Sequence, residues 1–186
     1  MKKNSLVSTS LLLVCMIILF GCGGSGSPGT ASEPEISGDI TSMSSSEGTA
    51  WFDNTTELQT AFSGFTVGNV SIVDDAGKKI SGSQIGLNTK FSIVYEGVKN
   101  YTLKDGKAFP GLSILVSDPN QNPVINEADL LASYPDGVTE EAASVLRATI
   151  TVGDPMKPGK YTCSVQVVDK NNNNSSIIST WSFDVK

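Results

Sequence analysis

An all-β fold, with antiparallel sheets packed face to face, is what this sequence predicts, and three observations lead to it. Apolar residues recur at every second position in six separate runs between residues 70 and 185. Clusters of turn formers separate those runs, and no long helical pattern alternates with them. One apolar and one polar face per strand marks antiparallel sheets that bury a single side.

The chain, of 186 residues, begins with Lys2 and Lys3, continues with an apolar run over 11–20, and reaches Leu19-Phe20-Gly21-Cys22. The run is about half the roughly twenty apolar residues that a bilayer span requires. This start resembles the lipobox signal of bacterial lipoproteins. The resemblance implies that residues 1–21 are a signal peptide and that the Cys22 thiol carries diacylglycerol. An acylated Cys22 would anchor the chain, since each buried methylene contributes about 0.8 kcal/mol. Phe20 departs from the small residue usual at its place, and an ordinary secretory signal is the alternative reading.

Acids outnumber bases by 19 to 13, for a formal charge of −6, and removal of Lys2 and Lys3 would lower it by two more. That balance argues against nucleic-acid binding and against a polybasic membrane-surface protein. Of three cysteines, Cys15 belongs to the signal and Cys22 to the anchor, so Cys163 has no intrachain partner. With no histidine, the chain excludes His-based zinc sites, His-ligated haem and Ser-His-Asp catalysis of its own. No cofactor is implied.

Residues 22–50 are rich in Gly and Ser and read as a disordered, flexible tether. In 51–65, Trp51, Leu58, Phe62 and Phe65 lie seven, four and three apart, which predicts a short helix over about 55–63. An irregular arm packed on the core is the alternative. The alternating runs then follow: Val70 and Ile72; Phe91, Ile93 and Tyr95; Leu112, Ile114 and Val116. After them come Leu146 to Val152, Tyr161 to Val167, and Trp181, Phe183 and Val185. Asp75-Ala76-Gly77, Asp105-Gly106, Pro135-Asp136-Gly137, Lys157-Pro158-Gly159 and residues 171–174 are turn formers. Thr139, followed by Glu140 and Glu141, predicts a short capped helix up to Ser144.

The segment Pro158-Gly159-Lys160-Tyr161-Thr162-Cys163 resembles the start of strand F in immunoglobulin-like domains, where a tyrosine two residues before a cysteine pins a corner through its hydroxyl. The resemblance implies an immunoglobulin-like β-sandwich over 66–186. It departs from that pattern at two points. Ile93 stands where the partner cysteine is expected, and Leu112 or Ile114 occupies the layer of the usual central tryptophan.

Four groups of residues are candidate sites. Asp118, Asn120, Asn122, Asn126 and Asp129 match places one, three, five, nine and twelve of an EF-hand calcium loop. Pro123 replaces the glycine of place six and Asp129 the final glutamate, so the segment reads as a connecting loop. Cys163 alternates inward and reads as a buried, inert thiol. Glu127 with Asp129, and Glu140 with Glu141, read as solvated acids and a helix start rather than a hydrolytic pair. The connection 97–111 carries Tyr101 and Phe109 among Lys99, Lys104 and Lys107. In the expected topology it lies beside 169–176, whose Asn172 and Asn173 add hydrogen-bonding amides. Aromatic anchors with adaptable amides form recognition surfaces. Alternatively, Tyr101 and Leu103 form an extra strand and Phe109 plugs the end of the sandwich. The loops around 118–144, with Tyr134, form the competing surface at the other end.

Together these readings predict a non-enzymatic lipoprotein of the bacterial cell envelope, on the outer membrane where two membranes exist. Its partners would be the membrane, through the lipid, and a protein or glycan. A structural periplasmic subunit without a ligand and a carboxylate hydrolase are the alternatives.

Overall fold

In a computed structural model, residues 40–45 and 48–186 are described, with side chains from Ala50 onward. The signal peptide, Cys22 and most of the 22–50 tether lie outside the described residues. The strands are β1 (Ile40–Ser45), β2 (Gly48–Asp53), β3 (Leu58–Ser63), β4 (Asn69–Asp74), β5 (Gln84–Ile85), β6 (Thr89–Glu96), β7 (Pro110–Ser117) and β8 (Pro123–Glu127). A helical turn, α1 (Glu140–Ala143), leads into β9 (Val145–Val152), β10 (Gly159–Asp169) and β11 (Asn172–Val185).

All six alternating runs are strands. The larger sheet runs β1-β2-β3-β11-β10-β7-β8, and the smaller one runs β4-β6-β9. Ladders are antiparallel except where β5 adds in parallel to the end of β11. The order β4-β6-β9 over β11-β10-β7 matches strands A-B-E over G-F-C of an immunoglobulin-like sandwich.

Register decides what is buried. Cys163 pairs with Trp181 on one side and Val116 on the other, and all three are fully buried. Trp181 stacks on Phe183 at 5.0 Å, and Phe91 meets both rings edge-on at 5.1 and 5.2 Å. Such aromatic contacts contribute about 0.5–1.5 kcal/mol each beyond area burial. Ile93, Leu112 and Ile114 are buried as expected, and the aromatic mass comes from Trp181 on β11. The indole Nε1 of Trp181 donates to the Thr56 carbonyl at 2.8 Å, fixing the β2–β3 turn to the core.

Four expectations fail; one is the connecting loop over 118–129, which contains strand β8 (Pro123–Glu127). The helix over 55–63 is instead the turn and strand of the β2–β3 hairpin. Asp53 holds the turn, accepting the Thr55 N–H and the Thr56 hydroxyl at 2.9 Å each, and Glu57 closes it at a φ of 64°. In β3, Leu58 and Thr60 point inward. The alternation is hidden because the Thr60 hydroxyl is buried against that of Ser179, 2.7 Å away. The tether's last part is also strand: β1 pairs with β2 from Ile40 to Asp53. Backbone ladders need no apolar side chains, so Ser-rich composition did not announce them. Finally, residues 172–174 are not a turn. The β10–β11 connection is only Lys170 and Asn171, and β11 begins at Asn172.

The helix at 139–144 is present: Thr139 caps α1 by accepting the Ala142 N–H at 3.2 Å, with Glu140 and Glu141 in its first turn.

Candidate binding surface

The connection from β6 to β7 and the turn from β10 to β11 meet at one end of the sandwich, as expected. A buried carboxylate joins them. Asp169 accepts the Thr102 N–H at 2.6 Å through one oxygen and the Asn171 N–H at 2.9 Å through the other. Asn171 in turn donates from its side chain to the Thr102 carbonyl at 3.0 Å. The Lys170 N–H reaches the Phe109 carbonyl at 2.9 Å. Sequence reasoning missed Asp169. Its one signal was an acid placed just before an amide-rich turn.

Tyr101 is a core residue, not an exposed anchor. Its ring lies edge-on to Phe65 at 4.9 Å and its hydroxyl donates to the Ala143 carbonyl at 3.1 Å. Burial, and then the nearby Asp169 carboxylate, push its pKa up. Phe109 is half-buried, against Gly137, where a Cβ would come within 2.9 Å of its ring. Lys99, Lys104 and Lys107 are exposed. Lys104 and Lys107 bond each other's backbones around Asp105 (φ 52°) and Gly106 (φ 74°). Two consecutive positive φ values define the hairpin turn that Asp-Gly favours. Leu103, on the same arm, is 44% exposed. Asn172 is half-buried and Asn173 exposed, both at the start of strand β11 rather than on a loop.

The competing surface is not at the other end. Only residues 118–122 turn there; β8 then runs back along β7 and carries 129–144 to the same end as 97–109. Ala108 and Val138 exchange both backbone hydrogen bonds at 2.9 Å. Asp129 ties this segment to the β10–β11 turn through a 2.6 Å ion pair with Lys170. Burial alone would raise its pKa. The Lys170 hydrogen bond and the Leu131 and Leu112 N–H groups outweigh burial and hold it below its ordinary value.

Tyr134 and Val145, each 55% exposed, therefore join Leu103 and the lysines on one platform. Between them runs a groove of about 250 Å³ lined by Pro110, Leu131, Tyr134, Val138 and Val145. Larger depressions of about 280 and 530 Å³ follow the β2–β3 hairpin, the first beside Trp51 and Ile80, the second on Phe52, Ala61 and Ile178.

Of the five calcium candidates, Asp118, Asn120 and Asn122 share one turn, while Asn126 lies on β8 and Asp129 beyond it. Asp118 accepts the Asn120 and Asn122 N–H groups at 2.8 Å, and the Asn122 side chain also reaches it, which lowers its pKa. Asp129 lies beyond strand β8, whose five residues extend about 3.3 Å each. Among the described residues no group of three or more His, Cys, Asp or Glu could hold a metal ion. Cys163 is a free, buried thiol whose pKa burial pushes up to about 12.

No protein-family model matches the chain, and no curated protein matches it. Among solved structures, it is similar to the PmoD soluble domain of a Methylocystis species, at 8% identity and a TM-score of 0.36, over 74% of this chain and 96% of that one. It is also similar to an AA10 lytic polysaccharide monooxygenase from Streptomyces lividans, at 10% identity and a TM-score of 0.30, over 60% and 62% of the two chains. Similarity at this level carries nothing about activity.

Proposed function

We propose that the chain is a bacterial envelope lipoprotein, anchored through acyl groups on Cys22, whose β-sandwich is a non-catalytic binding module for a protein or glycan. The observation that supports binding is the platform at one end of the sandwich. Three connections, 97–109, 129–144 and 170–171, are tied there by Asp169, Asp129 and the Ala108–Val138 bridge. A pre-ordered surface loses less entropy on binding than a mobile one. Leu103, Tyr134 and Val145 supply apolar contact, and Lys99, Lys104 and Lys107 give a locally basic rim in an acidic chain. Loops held by a rigid scaffold carry function in many β-sandwiches. The anchor rests on the sequence from Lys2 to Cys22. Mass spectrometry of the native N-terminus tests it: a chain beginning at diacylglyceryl-modified Cys22 is expected, and an unmodified Cys22 or any other first residue refutes the anchor.

A further inference from the structure

The two sheets differ in width, and on one side the wider one is left uncovered. β9 lies against β7, while β8, bonded to the far edge of β7, extends the larger sheet one strand beyond it. Ile125 on β8 pairs with the fully buried Val116, so it shares the inward face, yet it is only half-buried there. On the opposite side the chain covers its own edge: the Ile80 N–H donates to the Ile72 carbonyl of β4 and Val73 bridges Lys79. Beside β9 the 131–142 connection lines a groove with Val145, Leu146 and Arg147 but forms no ladder with the strand. Among the described residues no strand or bridge joins it on the side away from β6. Its ladder with β6 runs from Val145 to Val152 without a register shift, and the strand holds no proline or glycine. Bulges, prolines and covering loops are how natural proteins blunt an exposed edge.

We propose that β9 is a strand-addition site that takes one extended segment of a partner polypeptide. The segment bonds along the free edge of β9, turns alternate apolar side chains onto Ile125 and into the groove at Leu131 and Val138, and offers a carboxylate to Arg147. This deepens the binding-module reading by naming the partner's chemistry. Unpaired backbone N–H and C=O groups call for another backbone rather than a sugar or a lipid. Arg147 is the only charged side chain on β9; it is exposed, and one guanidinium nitrogen reaches the Ser92 hydroxyl of β6 at 3.4 Å, which leaves its remaining N–H groups for a carboxylate. β8 extends the larger sheet one strand beyond β7, and so beyond β9, which matches the width of one added segment. A second sandwich joined through β9 would bring its own β7 and β8 into the space that this β8 fills, so the geometry favours a lone segment over a second copy.

The test titrates the purified full chain with the acetylated, amidated peptide Thr-Val-Thr-Val-Asp-Val-Thr-Val-Thr, which places its aspartate at the centre in either direction. Backbone amide shifts are followed by NMR. Saturable shifts on β9, Val124, Ile125, Leu131 and Val138 are expected. Arg147→Glu weakens binding about tenfold, and a peptide with lysine in place of aspartate restores it to that variant. No shift on β9 at ~1 mM peptide overturns the proposal. So does an affinity indifferent to both charge reversals, or β9 shifts that follow protein concentration alone, which would assign the edge to a second copy. The titration does not depend on the lipid, so its failure leaves Cys22 anchoring standing, and failed lipidation leaves the titration standing.

Discussion

The Tyr161 hydroxyl donates to the carbonyl of Lys157 at 3.0 Å and accepts the N–H of the same residue at 2.9 Å, closing the turn that leads into β10. Its ring meanwhile stacks on Phe183 at 5.8 Å. Removing the oxygen alone separates these contributions. Tyr161→Phe keeps the ring contact and leaves two backbone groups without their partner. A loss of about 1–3 kcal/mol is expected. Urea unfolding should show a lower midpoint at an unchanged slope.

Asp169→Asn should loosen the platform locally. The carboxylate uses both oxygens as acceptors, for Thr102 and Asn171, and an amide can offer only one. A stability loss of about 1.5–3 kcal/mol is expected, as for other hydrogen bonds to a charged group. Faster amide exchange over 99–109 than over β6 or β10 would locate the effect. Uniform acceleration across all strands would contradict it.

Asp129 makes stability depend on acid. Its folded pKa is lowered, so its contribution is present above the ordinary carboxylate value and is lost as pH falls through the folded one. Wild type should therefore lose stability between about pH 5 and pH 3 more steeply than Asp129→Asn. Thermal melts across that range check the slope. Parallel curves would mean that the ion pair with Lys170 contributes nothing.

Cys163 should resist alkylation until the sandwich opens. It is fully buried among Trp181 and Val116, and burial pushes its pKa up to about 12, so little thiolate forms near neutrality. Peptide mapping after exposure to iodoacetamide should find Cys163 unlabelled in native protein and labelled in denaturant. Rapid native labelling would displace it from the core.

Strands with strict alternation were legible from their residues, and the corner at Tyr161 was implied by the resemblance of 158–163 to the start of an immunoglobulin-like strand F. β3 was not legible. Thr60 is buried through its hydroxyl bond to Ser179, so a polar residue sits where the pattern wants an apolar one. β8 was hidden for a different reason. Val124 and Ile125 are adjacent and both half-buried, with no alternation to betray the strand. Missing β8 placed Tyr134 at the wrong end, since its position depends on the chain running back along β7. Tyr101 looked like a recognition aromatic because spacing cannot show that Phe65 and the Ala143 carbonyl enclose it. A pair of residues 67 apart in sequence, Thr102 and Asp169, builds the platform, and no local pattern joins them.

Photo-crosslinking in whole cells tests the binding surface most directly. A photoreactive amino acid is placed in turn at Tyr134, at Lys104 and at Gln166, an exposed position on the outer face of the larger sheet. Each variant is first confirmed to melt like wild type. Discrete adducts of the same mass at Tyr134 and Lys104, with none at Gln166, are expected. Adducts at Gln166 alone, or at none of the three, would contradict a binding module that works through this end of the sandwich.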